Sequence, residues 1–188
     1  MKTADLDVLV LPGLGGGTKD HWYARWTRSL TTVQRVEQED FSNPDMEIWA
    51  PAVIQAVEAA ERPVVLIGHS AGVLAAASAA PSLPQGKALG AFLVAPPDPD
   101  NENTKSFALS YVARDPLPFP SYVVASRNDP YCEFEVAEDY AAAWGSLLID
   151  AGEAGHINDE SGHGPWPEGL MLFGRFLKLL DKTESRST

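Results

Sequence analysis

Val64-Val65-Leu66-Ile67-Gly68-His69-Ser70-Ala71-Gly72-Val73-Leu74-Ala75-Ala76-Ala77 has the pattern of a buried strand, one sharp turn and a helix of small residues. Pro63 leads into Val64 to Ile67, a short apolar run rich in β-branched residues, which suits a strand covered on both faces. Gly68-x-Ser70-x-Gly72 follows, and then alanines that let a helix pack close against a sheet. A turn this tight holds its serine in a strained backbone with the hydroxyl exposed above the sheet. Side chains two residues before and after would collide there, so both positions want glycine, the pattern of a nucleophile elbow. The pentapeptide alone is a weak signal, because glycine and serine are common. Its flanks make it specific. The competing reading is an ordinary strand-to-helix turn with a solvent-facing serine.

Leu6 to Leu11 and Thr32 to Glu37 read as strands before this stretch. Ala88 to Ala95, Ser121 to Ser126 and Ser146 to Asp150 read as strands after it. Helical spacing predicts His21 to Leu30, with Trp22, Trp26 and Leu30 on one side, and Asp45 to Glu61, with Ile48, Trp49, Ala52, Val53, Ala56, Val57 and Ala60 as its apolar stripe. Glu133 to Trp144 turns Phe134, Ala137, Tyr140, Ala141 and Trp144 inward, and Pro167 to Leu180 is amphipathic. Such alternation predicts an α/β fold of three layers: a six-stranded, mainly parallel sheet with helices on both faces. No linker or repeat interrupts the chain, so residues 1–188 are expected to form one domain with residues 181–188 as a frayed tail. Pro96 to Pro120 is proline-rich and irregular. A minimal cap over a site and a surface connection without a role are both open readings of it.

Catalytic groups on an open parallel sheet collect beyond the carboxyl ends of strands. Ser70, Asp129 and His156 each follow a predicted strand, in the order Ser, Asp, His of the α/β-hydrolase triad. Serine is a poor nucleophile until a neutral imidazole takes its proton, and the imidazole needs a carboxylate to orient it. Other candidates stand beside these. Asp98 or Asp100 is an alternative carboxylate and His163 an alternative base, while His156, Asp159, Glu160 and His163 have no recognised metal spacing. His69 is expected to pack or bond locally, while His21, beside Trp22, either lines the pocket or, the safer reading, lies on a helix surface.

Pro12-Gly13-Leu14-Gly15-Gly16-Gly17 fails the P-loop pattern, because Gly17-Thr18-Lys19-Asp20 lacks Gly-Lys-Ser/Thr, and Thr18 breaks the dinucleotide fingerprint. It follows the strand expected beside the nucleophile strand, so its N–H groups can face a carbonyl over Ser70. Leu14 and Ala71 are the expected oxyanion donors. Trp22 and Trp166 are the expected pocket walls.

The 188 residues are 45% hydrophobic and 21% charged, ordinary for a globular chain. Asp and Glu outnumber Lys and Arg by 26 to 14, and the net charge of −12 repels phosphate backbones and anionic membranes. Nucleic acid and membrane are therefore unexpected partners. Cys132, the single cysteine, excludes an intrachain disulfide and is expected to be an inert thiol on a helix. Leu6 to Leu11 is too short and too acidic at its edge for a signal peptide, so a cytoplasmic location is expected. A monomer or weak dimer is expected.

Four stretches carry a resemblance: Pro12 to Gly17, Ile48-Trp49-Ala50-Pro51, Gly68 to Gly72, and Ser126-Arg127-Asn128-Asp129-Pro130-Tyr131. Over most of its length the chain resembles the small serine hydrolases of the retinoblastoma-binding protein 9 family, a compact branch of the α/β-hydrolase fold. Gly155-His156-Ile157-Asn158 and Ser161-Gly162-His163-Gly164-Pro165-Trp166 are similar to its bacterial members. The resemblance implies a triad of Ser70, Asp129 and His156, short-acyl ester or amide substrates, and no cofactor. The pocket-protein element Leu-x-Cys-x-Glu of the namesake is missing, since Cys132 lies between Pro130 and Phe134. The expected activity is that of a carboxylesterase-type serine hydrolase on a small-molecule ester. An acyltransferase or thioesterase on the same triad, and a non-catalytic binding protein, are the alternatives.

Overall fold

Apolar residues on both faces of every central strand leave the sheet nowhere to meet water, and the helices cover it on both sides. The computed structural model describes residues 3–107 and 109–187, with side chains through Lys182. The strands are β1 (Asp7–Leu11), β2 (Val33–Arg35), β3 (Val64–His69), β4 (Ala88–Val94), β5 (Ser121–Ala125) and β6 (Leu147–Asp150). All pair in parallel, in the order β2-β1-β3-β4-β5-β6. The helices are α1 (Trp22–Ser29), α2 (Met46–Ala59), α3 (Ala71–Ala79), α4 (Phe134–Trp144) and α5 (Pro167–Ser187).

The period-two alternation of a strand divides the core. Leu9, Leu11, Val64 and Leu66 pack with α2, α3 and α4, while Val8, Val10, Val65 and Ile67 pack with α1 and α5. The result is the three-layer α/β-hydrolase fold. After β2 the chain crosses back over β1 to begin β3, so the strand order reverses between β1 and β3, where such sheets open a crevice at their carboxyl ends.

Several boundaries differ from expectation. β2 is only Val33–Arg35, because an edge strand pairs on one side alone. α2 is capped by Asp45, whose carboxylate accepts from Glu47 N at 2.9 Å. Its buried line is Met46, Trp49, Ala50, Val53 and Val57, so Ile48 faces solvent. Cys132 is not on a helix: it lies buried in the turn before α4, where burial, and next the Asp129 charge, raise its thiol pKa and keep it unreactive. α5 continues past Leu180 to Ser187, and side chains beyond Lys182 lie outside the described residues. No helix among the described residues is long and apolar enough to cross a membrane.

Candidate active site

Ser70 sits between β3 and α3 at φ 54, ψ −127, a backbone conformation that costs a residue with a side chain about 1–3 kcal/mol. Its N–H donates to Val94 O of β4 at 3.0 Å. A Cβ on Gly72 would stand 1.9 Å from Leu11 O, and one on Gly68 would stand 3.0 Å from Gly72 O. The two glycines are thus the condition for the turn to close. Gly13 runs so near that an added Cβ would lie 2.6 Å from Ser70 Cβ and 3.2 Å from its Oγ, which brings the loop after β1 alongside the hydroxyl.

Asp129 and His156 meet across the ends of β5 and β6. His156 Nδ1 lies 3.0 and 2.9 Å from the two oxygens of Asp129, and both side chains are buried. The carboxylate accepts only, so Nδ1 carries the proton and Nε2 is left as the acceptor of the neutral ring. Three further bonds hold the two loops together. Arg127 N donates to Gly152 O at 2.7 Å, Ala154 N to Ser126 Oγ at 2.9 Å, and Gly155 N to Asn128 Oδ1 at 2.7 Å. Tyr131 N donates to Asp129 Oδ1 at 3.0 Å, and the Tyr131 ring stands edge-on to His156 at 4.6 Å.

Ser70 and His156 line one cavity of about 350 Å³ with Leu14 and Ala71. Ala71 opens α3, so its N–H has no intrahelical acceptor, and Leu14 likewise opens the 3-10 turn Leu14–Gly16. Pro97, Thr104, Phe107 and Leu109, from the connection between β4 and β5, close part of the cavity. Among the described residues no hydrogen bond joins Ser70 to His156, a looseness common in unliganded sites.

Trp22 and Trp166 do not form its walls. Trp22 is fully buried on the sheet side of α1, 4.8 Å from the Trp26 ring and 5.1 Å from that of Trp166. Trp166 stacks on Trp26 and packs under α5, where a Cβ on Gly169 would meet its ring at 2.1 Å. Burying so much ring area in the core outweighs lining a wet cavity. His163 is not in the cavity lining, and its Nδ1 lies 3.2 Å from Ser161 Oγ. Asp98 Oδ1 accepts from Asp100 N, and Asp100 accepts from the Tyr111 hydroxyl, so neither carboxylate serves His156.

His21 takes the pocket-lining place rather than the helix-surface one: it is buried against the cavity, stacked on Tyr23 at 3.8 Å, with no hydrogen-bond partner for either ring nitrogen among the described residues. Burial pushes its pKa down to about 4 against the pull of the Asp159 carboxylate. His69 bonds at long range: its Nε2 lies 3.0 Å from His156 O. The aromatic run Trp22-Tyr23 beside His21 was the one sequence signal of such a cluster.

A buried carboxylate–imidazole pair, a hydroxyl on a strained turn and two free N–H groups around one cavity can shuttle a proton and stabilise an oxyanion. Residues 8–175 match the profile of a family described as serine hydrolase. A YdeN-like hydrolase from Pectobacterium atrosepticum is 36% identical, with a TM-score of 0.85 over 95% of this chain and 94% of that one. Esterase 2 of Thermogutta terrifontis is 19% identical, with a TM-score of 0.65 over 96% of this chain and 86% of that one. A RedJ thioesterase of the prodiginine pathway in Streptomyces coelicolor is 16% identical, with a TM-score of 0.65 over 93% and 87%. No curated protein sequence matches the chain.

Proposed function

The chain belongs to the serine hydrolase family, and on that premise we propose that it hydrolyses short-acyl carboxylic esters through an acyl-enzyme on Ser70. Ser70 Oγ attacks the acyl carbon as His156 Nε2 takes its proton, and Asp129 orients the imidazole and stabilises its charged form. The N–H groups of Ala71 and Leu14 bind the oxyanion. The imidazolium then protonates the leaving alcohol, and a water, deprotonated by the same ring, releases the acid. Within the family we assign the chain to the branch resembling retinoblastoma-binding protein 9, on the four stretches quoted above. The observation that carries the reading is the buried Asp129–His156 pair opening into the cavity of Ser70. The cavity's size, with Leu14, Phe107 and Leu109 in its lining, favours short acyl groups.

A fluorophosphonate should label Ser70 and no other serine. His156→Ala and Asp129→Asn should each lower kcat about 10⁴-fold, and His163→Ala should stay near wild type. No adduct at Ser70, with control hydrolases labelled, would leave a binding protein of this fold. Across a panel of esters, thioesters and amides, kcat/KM should fall steeply from acetyl to octanoyl esters. Faster turnover of a thioester than of its oxygen ester would move the assignment to a thioesterase, and an alcohol competing with water to an acyltransferase.

A further inference from the structure

The turn that carries His156 is strained immediately after it. Ile157 is fully buried and sits at φ 48, in the left-handed region that β-branched residues avoid. That conformation is unfavourable and persists only where the surroundings over-determine it. Two ring N–H groups supply the hold, on two consecutive carbonyls. His69 Nε2 lies 3.0 Å from the carbonyl oxygen of His156, and Trp22 Nε1 donates to that of Ile157 at 2.8 Å. A carbonyl only accepts, so His69 carries its proton on Nε2. Its ring is buried between His21 at 4.7 Å and His156 at 5.0 Å. Burial, and next the His21 and His156 rings, lower its pKa well below the ordinary histidine range, so it stays a neutral donor.

His69 is covalently bonded to Ser70 and reaches 87 residues along the chain to grip the backbone of His156. The two groups that must exchange a proton are therefore referenced to each other directly, without the sheet between them. The grip links the strand end that carries Ser70 to the turn that carries His156. Packing alone would need no donor here, because a leucine or phenylalanine fills the same space.

We propose that His69, seconded by Trp22, is a positioning residue that clasps the His156 turn so that its imidazole faces Ser70. The proposal rests on the Ser70–His156–Asp129 reading, and one of its readouts is independent of turnover. His69→Leu should lower kcat about 10- to 100-fold with KM within about threefold, the size of effect that a misplacement of about 1 Å produces. His69→Gln, which keeps an N–H near the same position, should recover most of that loss. Trp22→Phe, which keeps a ring but loses its donor, should fall between them, and it tests the same clasp if His69→Leu does not fold. The independent readout is the nitrogen-bound proton of His156 Nδ1, followed by NMR. It should be discrete in the wild type, exchange-broadened in His69→Leu and restored in His69→Gln. Wild-type kcat with an unchanged resonance in folded His69→Leu, or a His69→Gln as damaged as His69→Leu, would overturn the clasp. A wild type that no fluorophosphonate labels would overturn the triad reading instead, while the resonance still decides the clasp.

Discussion

Ser70 and Ile157 both occupy backbone that side chains rarely adopt, at φ 54 and φ 48, yet the two turns are held by opposite means. The Ser70 turn is locked by missing atoms. Gly68 and Gly72 leave no volume between β3, α3 and the end of β1, so the backbone has one way to pass. The His156 turn is locked by donors. Gly155 N on Asn128, Ala154 N on Ser126, and the rings of His69 and Trp22 on two carbonyls hold it from four sides. A lock made by excluded volume tolerates no added methyl but is indifferent to protonation. A lock made of hydrogen bonds accepts some added volume and fails when a donor is lost or a neighbouring ring gains charge.

The largest expected effect separates the two locks directly. Gly72→Ala would place its Cβ 1.9 Å from Leu11 O, against rigid backbone, and should cost more than about 4 kcal/mol or prevent folding. Gly155→Ala meets the side chain of Ser161 at 2.7 Å, at φ 59, and should cost about 1–3 kcal/mol. Urea unfolding of both variants checks this, and equal losses would erase the distinction. The next effect is acid. His21 stays neutral in the folded protein down to about pH 4, whereas its ordinary pKa of 6.5 applies to the unfolded chain. Between these values the unfolded chain binds the extra proton, so stability is whole above pH 6.5 and falls as pH drops toward 4, by about 3 kcal/mol. His69 acts in the same direction. Unfolding midpoints at pH 7 and pH 4.5 should therefore diverge in the wild type and diverge less in His21→Phe, where the His69 contribution remains; equal divergence in the two proteins would show the His21 imidazole to be uninvolved. The smallest effect is a gain: Ser70→Gly releases the strain at φ 54 and should raise stability by about 1 kcal/mol while abolishing labelling by fluorophosphonate. A lowered Tm would mean that the turn stores no strain.

The same contrast explains which parts were legible. Gly68-x-Ser70-x-Gly72 can be read from the chain because excluded volume is written in residue size at fixed spacing. The sheet and the inward line of α4, Phe134, Ala137, Tyr140, Ala141 and Trp144, follow from periodicity for a similar reason. Hydrogen-bonded positions leave no such trace. Nothing local distinguishes the His69 that reaches His156 from a histidine that bonds within its own turn. Trp22 and Trp166 read as walls because their size suits either a pocket or a core, and only the seating of α1 and α5 decides between them. His21 stands just before α1, a position that periodicity cannot assign to a face, and the stacking of Tyr23 buries it.

The connection between β4 and β5 has a consequence for the range of molecules this fold can admit. Its first half is moored to the Asp129 loop, through Asp98 N on Tyr131 O at 2.9 Å and Asn103 Nδ2 on Pro130 O at 2.7 Å. Its second half, irregular from Leu109 to β5, is moored to α4, through Leu117 N on Trp144 O and Trp144 Nε1 on Ala113 O, each at 3.0 Å. Closing a flexible loop grows dearer only with the logarithm of its length, about 0.6 kcal/mol for each doubling. Residues added at Ser110, between these two moorings, would thus leave the sheet, the glycine-locked turn and the clasp untouched while raising a roof over the cavity. In polymer terms, the size of the guest is set by the cheapest variable in the molecule, the contour length of one tether.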